Sequence, residues 1–310
     1  MKRAIKNRLK SLSRQLFEGG QRLGINILPH HFYSQTPDIA ALKKDTYWKA
    51  ASSMYGIQGT EIEGQVAFAQ SCFTPELTAA LSHLDVHKTA IVENGEDGGY
   101  GPIEADFLYC FVSKQRPKKI VQVGCGVSTS IVLRAAKDAG YRPEVVCVEP
   151  FPMPFLEKMN AEGRIRLVKE KAQKVDLETL TDLGENDLFF VDSTHTVKPG
   201  SEVNRIILEV LPRLKKGVFV HFHDIYFPFD YKRDLLEGDL FFWAESTLLH
   251  AFLVGNNRYT IRAALSMIHY GEPGALKKLI PHYEPENNDQ GLQAGRGKHF
   301  PSAIYLQTVN

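Results

Sequence analysis

Acidic and histidine side chains stand at the ends of two apolar runs in the second half of this 310-residue sequence. Asp192 ends one run and is followed by His195, and His223 and Asp224 end the next run. A histidine has an ordinary pKa of about 6.5, so it can take a proton from a substrate at neutral pH. We therefore predict His195 or His223 as a general base, with Asp224 orienting a histidine or the substrate.

A glycine-containing turn forms a second candidate site. The turn Gly124-Cys125-Gly126 follows a β-like run and precedes a helical pattern. Glycine lacks a Cβ, so the backbone can pass close beneath a ligand, and Ser128 and Thr129 can cap the helix that follows. The dinucleotide fingerprint has a third glycine where this chain has Thr129, and no GxxxxGK[ST] motif occurs. The turn therefore favours a nucleoside without a pyrophosphate.

An acidic residue ends the following β-like run, in the order Val148-Glu149-Pro150. A carboxylate at this position can accept hydrogen bonds from both hydroxyls of a ribose, and it would repel the extra phosphate of NADP. Glu149 is therefore the predicted ribose ligand. The alternative is an exposed acid at a strand end that binds nothing.

These residues need a scaffold that brings them together. β-like runs at 119–123, 144–148, 164–168, 187–191, 217–222, 259–262 and 303–307 alternate with helical patterns near 103–115, 128–139, 153–161, 174–182, 200–214 and 240–254. This alternation predicts a doubly wound, Rossmann-like α/β fold with a mostly parallel sheet and helices on both faces. Ligands of such sheets bind at the carboxyl ends of the strands, so the site residues should meet there.

The sequence divides by pattern into two parts. We predict residues 1–100 to be a helical and irregular extension that serves as lid and substrate region, and residues 101–310 to be the catalytic domain, with a flexible surface loop at 284–300. Residues 1–18 contain a basic amphipathic helix, which can lie on an anionic membrane or dock on protein. The segment 240–254 is apolar nearly all round, which predicts burial and a candidate contact in a homo-oligomer.

Composition narrows the classes of function. The formal net charge of +1 provides no field that would attract nucleic acid. The four cysteines lack zinc-binding spacing, so we expect free thiols in a reducing compartment. No apolar run has the roughly 18–20 residues of a membrane span, and no signal peptide is visible. We therefore expect a cytoplasmic protein, held at the inner face of the membrane if the basic helix binds there.

Four stretches of the chain resemble a known family: His31–Asp38, Ile120–Thr129, Val191–His195 and His221–Tyr231. They resemble the class I S-adenosylmethionine-dependent methyltransferases, and more narrowly a bacterial methyltransferase-domain family near the sugar O-methyltransferases and the cephalosporin-hydroxylase-like proteins. The resemblance covers most of residues 25–270. It implies a seven-stranded sheet with a reversed last strand, binding of S-adenosyl-L-methionine, and O-methylation of a sugar, a glycan in polysaccharide biosynthesis or a small natural product.

The resemblance also implies roles for individual residues. The cofactor would be bound by Gln122, Gly124, Cys125, Gly126, Ser128, Thr129, Glu149, Pro150, Asp192 and Ser193. Gln122 departs from the family, which usually has an acidic residue there, and a neutral amide accepts a hydrogen bond with less charge assistance. In catechol-type O-methyltransferases, carboxylates at the positions of Asp192 and Asp224 hold magnesium. His223 would offer nitrogen where that pattern has another oxygen ligand.

Two other functions remain open from the sequence. The departure at Gln122 is compatible with a methyltransferase-like assembly protein without catalysis. A Rossmann-type oxidoreductase is disfavoured by the missing third glycine. Calorimetry with S-adenosylmethionine would separate both from a methyltransferase that acts on a small-molecule or glycan acceptor.

Overall fold

The computed structural model describes residues 2–95, 99–232, 235–236, 240–281, 283 and 300–310, and only the backbone of residues 2–9. The chain forms two compact units, 1–46 and 47–310. The predicted flexible loop at 284–300 lies outside the described residues except for Phe300. We predict a boundary near residue 100, with residues 1–100 serving as lid and substrate region. This division and this role stay predictions.

The first unit contains the helices α1 (Lys2–Arg22) and α2 (Ile39–Lys44). α1 includes the predicted basic helix, and its side chains Leu12 and Leu16 are 52% and 50% exposed. The side chain of Asp38 accepts a hydrogen bond from the main-chain N–H of Ala41 and so caps α2. None of the helices among the described residues is long and apolar enough to cross a membrane.

The second unit alternates strands and helices after an all-helical beginning. Its strands are β1 (Lys119–Val123), β2 (Glu144–Val148), β3 (Arg166–Val168), β4 (Leu188–Val191), β5 (Phe219–Phe222), β6 (Tyr259–Ala264) and β7 (Ile304–Thr308). Its α-helices are α3 (Ile62–Cys72), α4 (Pro75–Leu81), α5 (Val86–Asn94), α6 (Pro102–Gln115), α7 (Val127–Asp138), α8 (Pro154–Ala161), α9 (Leu177–Thr181), α10 (Glu202–Arg205), α11 (Glu245–Leu253), α12 (Leu265–Gly271) and α13 (Pro273–Leu279).

Within the described part of the chain, the strands form one seven-stranded sheet in the order β3-β2-β1-β4-β5-β7-β6. β1 to β5 pair in parallel, and β7 runs antiparallel to both β5 and β6. The sheet is therefore mostly parallel with a reversed last strand, which confirms the predicted fold. The strand order reverses between β1 and β4, and this switch point is where doubly wound sheets bind ligands.

Helices cover both faces of the sheet, because the central strands are apolar on both faces. In β4, Leu188 and Phe190 pack into a core that includes α6 and α7. Phe189 and Val191 pack on the opposite face, against α10 and the π-helical turn Ile206–Val210 that continues it. Strands buried on both faces are apolar at most positions, with Gln122 in β1 and His221 in β5 as buried exceptions, and this is why the sequence pattern located them.

One predicted helix is partly wrong. The helical pattern at 240–254 yields a helix only from Glu245, the first residue of α11. Leu240 and Phe241 are 41% and 55% exposed, so this part of the segment is not buried as predicted. Apolar composition alone does not distinguish a buried helix from a loop that carries aromatic side chains. The predicted role of the segment in an oligomer contact stays a prediction.

Candidate active site

Four strands end in one row across the sheet, and the candidate site begins at this row. The row consists of Val148, Val123, Val191 and Phe222, which end β2, β1, β4 and β5. The residues that follow are Glu149, Gly124, Asp192 and His223. The main-chain N–H of each still donates a hydrogen bond to the strand beside it, at 2.9–3.2 Å. The sheet therefore places the residues predicted to bind a nucleoside beside the residues predicted to transfer protons; their roles stay predictions.

A cavity of about 480 Å³ lies at this row, and we call it the central cavity. Its lining includes the predicted residues Gly124, Cys125, Gly126, Ser128, Glu149, Asp192, Ser193, His195, His223 and Asp224, together with Tyr100, Phe241 and Trp243. A second cavity of about 490 Å³, the Glu149 cavity, shares Gly124, Glu149, Asp192 and Ser193 with it and adds Pro150. Both volumes lie within the range of small-molecule sites, about 300–1,000 Å³.

Two predicted cofactor residues do not line either cavity. Gln122 is fully buried in β1, with its Oε1 atom 3.9 Å from the Cys147 thiol. Thr129 is fully buried within the first turn of α7. Side chains alternate between the faces of a strand, so Gln122 lies on the other face of β1 from its neighbours Val121 and Val123. Both side chains therefore lie within the fold beside the turn. Their positions in the sequence had suggested contact with the cofactor.

Gly124 and Glu149 shape the turn itself. Gly124 has a left-handed φ of +80°, and a Cβ there would overlap the main-chain carbonyl oxygen of Asp192. Only glycine is accommodated without movement of one of the two loops. Glu149 stabilises the turn from the other side, because its Oε2 accepts from the N–H of Cys125 at 3.4 Å and its Oε1 from the N–H of Phe151 at 3.0 Å. Each oxygen retains a lone pair for a ligand.

Four side-chain atoms form a closed ring beside the central cavity, with oxygen and nitrogen in alternation. Asp192 Oδ1 lies 3.5 Å from His195 Nε2, which lies 3.6 Å from Asp224 Oδ2. Asp224 Oδ2 lies 3.7 Å from His223 Nδ1, which lies 3.4 Å from Asp192 Oδ1. We call these four residues the Asp–His ring. The structure thus assembles all the predicted catalytic residues in one place.

Glu245 fixes the ring from outside. Its Oε2 atom lies 2.8 Å from Nδ1 of His195, and its main-chain N–H donates to the carbonyl oxygen of His195 at 3.2 Å. Glu245 is 1% exposed and His195 is 5% exposed. Both His195 and Asp224 have a φ of +56°, a conformation that non-glycine residues adopt at a cost of order 1–3 kcal/mol. The surrounding contacts therefore maintain two strained residues in the ring.

Mutual electrostatics stabilise the charged forms in the ring. Burial favours the neutral form of His223, but Asp224 and Asp192 outweigh it and raise the pKa of His223 to about 9. Burial is likewise outweighed at His195, where the carboxylates of Asp192 and Glu245 hold the pKa well above its ordinary value. Burial would raise the pKa of Asp192, but the two histidines bring it below its ordinary value. Burial raises the pKa of Glu245, and His195 opposes the shift without cancelling it.

A third cavity of about 320 Å³ shares His223 and Asp224 with the central cavity, and we call it the Glu104 cavity. Its lining includes Glu104, His223, Asp224, Tyr226, Lys232, Trp243, Phe300 and Ser302. Glu104 is 1% exposed; its Oε1 accepts from the N–H of Ser302 at 2.8 Å, whereas its Oε2 has no hydrogen-bond partner among the described residues. A buried carboxyl oxygen without a partner is costly, which points to a ligand donor at this position.

Sequence reasoning missed Glu104 and Glu245. Glu104 is one of two acids in α6, with Asp106, and the sequence does not distinguish a buried acid in such a helix from an exposed one. Glu245 was assigned to a buried apolar helix, so its side chain had no predicted partner. The available signal was the acid itself, since Asp and Glu are almost never fully buried unless they are paired.

Comparison with known proteins bears on the central part of this fold. Residues 121–225 match the sequence model of a family described as a methyltransferase domain. An uncharacterized protein of Archaeoglobus fulgidus is 24% identical over 216 residues, which are 64% of this chain and 90% of that protein. The matched segment 121–225 runs from β1 through β5, so it contains the glycine turn, Glu149 and the whole Asp–His ring.

Solved structures add only distant likenesses. The methyltransferase PaMTH1 of Podospora anserina, bound to S-adenosylhomocysteine, has 15% identity and a TM-score of 0.41, covering 91% of this chain and 100% of that one. Cofactor-bound Rv0187 from MTB has 16% identity and a TM-score of 0.42, covering 73% and 90%. Residues 121–225 are therefore similar in sequence to a methyltransferase domain, and the sheet that contains them is a mostly parallel, doubly wound sheet with a reversed last strand.

Proposed function

We propose that this protein is an O-methyltransferase that transfers the methyl group of S-adenosylmethionine to a hydroxyl of a sugar or another small acceptor. One observation carries the proposal. The Asp–His ring borders all three cavities, because its four residues line the central cavity, Asp192 also lines the Glu149 cavity, and His223 and Asp224 also line the Glu104 cavity. A donor and an acceptor bound in neighbouring cavities would therefore meet beside groups that can transfer protons.

The residues of the first two cavities suit the nucleoside part of the cofactor. Glu149 would accept hydrogen bonds from the ribose hydroxyls, and the backbone at Gly124 would pass beneath the ligand where a Cβ has no room. Gly126, Ser128, Pro150 and Ser193 line the same space. S-adenosylmethionine supplies a methyl group on a positively charged sulfur. That carbon–sulfur bond breaks as the oxygen–carbon bond forms, and S-adenosylhomocysteine and a proton are the other products.

The Glu104 cavity suits a polar acceptor with flat apolar faces. Tyr226, Trp243 and Phe300 provide aromatic surface, while Glu104 and Ser302 provide hydrogen-bonding groups. Sugars combine these two kinds of surface, since their C–H faces stack on aromatic rings and their hydroxyls donate to carboxylates. We therefore propose the Glu104 cavity as the acceptor site, with the free oxygen of Glu104 accepting from a hydroxyl that is not methylated.

The acceptor hydroxyl loses its proton at the Asp–His ring. If the centre of the ring holds no ion, His195 is the better placed of the two predicted bases, because Glu245 fixes its Nδ1 and leaves Nε2 directed at Asp192 and Asp224. The same carboxylates raise the pKa of His195, so it would act as a base only at a pH high enough to deprotonate it. A histidine held by a carboxylate in this way has a defined tautomer and orientation. His223 has no comparable carboxylate outside the ring among the described residues.

Calorimetry followed by a transfer assay tests the proposal. We expect one molecule of S-adenosylmethionine or S-adenosylhomocysteine bound per chain and no binding of NADH. Release of S-adenosylhomocysteine on addition of sugar-nucleotide acceptors, but not of phenols, would support the acceptor class. Failure of both nucleosides to bind contradicts a methyltransferase, and binding of both without turnover on any acceptor supports the assembly protein.

We also propose that α1 brings the protein to an anionic membrane surface. Lys10 and Arg14 are exposed beside the half-exposed Leu12 and Leu16, and the following segment exposes Leu23 and further apolar side chains. Basic and apolar side chains on one helix bind anionic lipid by charge attraction and by burial of apolar surface. α1 would then hold the enzyme next to lipid-linked acceptors. None of the helices in the described residues could itself cross a membrane.

A further inference from the structure

We infer that the Asp–His ring binds one divalent first-row transition-metal ion, with Asp192, His195, His223 and Asp224 as its protein ligands. Ligands about 2.1 Å from an ion lie about 3.0 Å apart at right angles and about 3.4 Å apart at tetrahedral angles. The four neighbouring donor atoms of the ring are 3.4–3.7 Å apart. One ligand atom from each of Asp192, His195 and His223 lies within 4.8 Å of the other two, so these three can share one ion, and Asp224 Oδ2 lies beside both histidines as the fourth ligand.

Hydrogen bonds alone do not account for this spacing. Charge-assisted hydrogen bonds between imidazole and carboxylate are about 2.7–2.9 Å long. His195 makes such a bond to Glu245 at 2.8 Å, outside the ring, whereas all four separations within the ring exceed that length. Nδ1 of His223 is buried and has no hydrogen-bond partner among the described residues. The four ring atoms face one another at contact distance without forming short hydrogen bonds. The centre of the ring is therefore the point at which all four could coordinate one ion.

Two of the four residues fit a metal site in their outer contacts as well. Histidine ligands of metals usually donate their other N–H to a carboxylate, which fixes the ring orientation, and Glu245 stands in this position at His195. Asp224 uses its Oδ1 to accept from the hydroxyls of Tyr226 at 2.9 Å and Ser302 at 3.0 Å. These bonds leave Oδ2, the ring atom, free to coordinate.

The ligand set does not fit magnesium. Magnesium demands oxygen donors in a nearly ideal octahedron, and two of the four ring atoms are imidazole nitrogens. Imidazole together with carboxylate suits ions such as Fe²⁺, Ni²⁺, Co²⁺ or Zn²⁺. Catechol-type enzymes hold magnesium at the corresponding strand ends, so this chain departs from that pattern in the identity of the ion and in using His195 and His223 as ligands.

The site borders both the central and the Glu104 cavities, so a hydroxyl of the acceptor could complete the coordination. A cation at this point lowers the pKa of a bound hydroxyl, which replaces a histidine base. This role rests on the proposed function, but metal binding itself does not. In this arrangement His195 is a ligand, and Glu245 is a positioning residue that acts through it.

Metal titration of the full chain tests the inference. The protein is stripped with chelator, dialysed, and titrated separately with Co²⁺, Zn²⁺ and Mg²⁺ by calorimetry, while visible absorption follows the Co²⁺. We expect one Co²⁺ or Zn²⁺ per chain, with cobalt bands of a site containing nitrogen ligands and no competition from millimolar Mg²⁺. His223→Gln and Asp192→Asn should each lower the affinity more than about 100-fold, and Glu245→Gln about 10–100-fold.

His250→Gln is the matched control, because His250 bonds to Asp230 at 3.3 Å outside the ring. It should bind Co²⁺ like the wild type. Absence of Co²⁺ and Zn²⁺ binding, equal affinity for Mg²⁺, or unchanged affinity in folded His223→Gln protein would each overturn the inference. Binding of S-adenosylmethionine, measured in parallel, separates the two proposals: cobalt bound without the nucleoside refutes the function and keeps the metal site, and the reverse refutes the metal site alone.

Discussion

Replacing Gly124 by alanine should destabilise the protein more than any other single methyl group added to the turn. The left-handed φ of +80° costs a residue with a Cβ about 1–2 kcal/mol. The new methyl group would also overlap the carbonyl oxygen of Asp192, and forced shifts of a packed backbone cost about 1–3 kcal/mol. The two effects together predict a loss of about 2–5 kcal/mol in the free energy of unfolding.

Gly126→Ala is the control, because it adds the same methyl group two residues away. Gly126 has an extended φ of 177°, and the nearest atom to its added Cβ is Oδ1 of Asn94 at 3.8 Å, an ordinary contact distance. We expect its free energy of unfolding to stay within about 1 kcal/mol of the wild type.

Urea denaturation followed by circular dichroism measures both variants. In Gly124→Ala the added methyl group must displace both the glycine turn and the loop at Asp192. Calorimetry with S-adenosylmethionine and titration with Co²⁺ then measure how this displacement changes the two binding affinities. We expect weaker binding of both S-adenosylmethionine and Co²⁺. If the two alanine variants unfold at the same urea concentration, the close approach of the glycine turn to Asp192 is wrong.

Three further outcomes test the proposals. Glu149→Ala should lose about 2–3 kcal/mol of S-adenosylmethionine binding in calorimetry, and unchanged affinity contradicts its ribose role. Glu104→Gln should raise KM for the acceptor at least about tenfold in the transfer assay with little change in cofactor affinity, and an unchanged KM removes Glu104 from the acceptor site. Exchange of Lys10 and Arg14 for Glu should abolish sedimentation with phosphatidylserine vesicles. If the wild-type protein does not sediment with these vesicles, the membrane proposal is wrong.

The central fold could be predicted because its strands are buried on both faces. The runs predicted at 119–123 and 144–148 have the same bounds as β1 and β2. Most residues of each run are apolar, and polar or glycine residues mark its ends. The reversed last strand came from the resemblance, and the order of the strands was not predicted. Neither could come from periodicity, because pairing between strands distant in sequence leaves no local signal.

The sequence predicted only those site residues whose positions the sheet determines. Residues that directly follow β1, β2, β4 and β5 had to share one edge, so Gly124, Glu149, Asp192 and His223 were found together. Glu104 and Glu245 enter the site from helices that pack over that edge, and their positions depend on tertiary contacts that no spacing encodes. Gln122 is buried in β1 and lines neither the central nor the Glu149 cavity, since adjacency to the glycine turn does not by itself bring a side chain to the cavity, and its contact with a cofactor stays a prediction.

The segment before α11 shows why prediction failed where the site is built. An ordinary helix from residue 240 would satisfy the apolar pattern, but the backbone leaves that pattern and places Trp243 against His195, with ring centroids 4.7 Å apart. Glu245 then bonds His195 through both its side chain and its main chain. The left-handed conformations of His195 and Asp224 occur at this same place. A departure from the helical pattern, backbone strain and a buried acid coincide here, and functional sites are where such features are expected together. If the Asp–His ring binds the proposed ion, Glu245→Gln should lower metal affinity more than it lowers the free energy of unfolding.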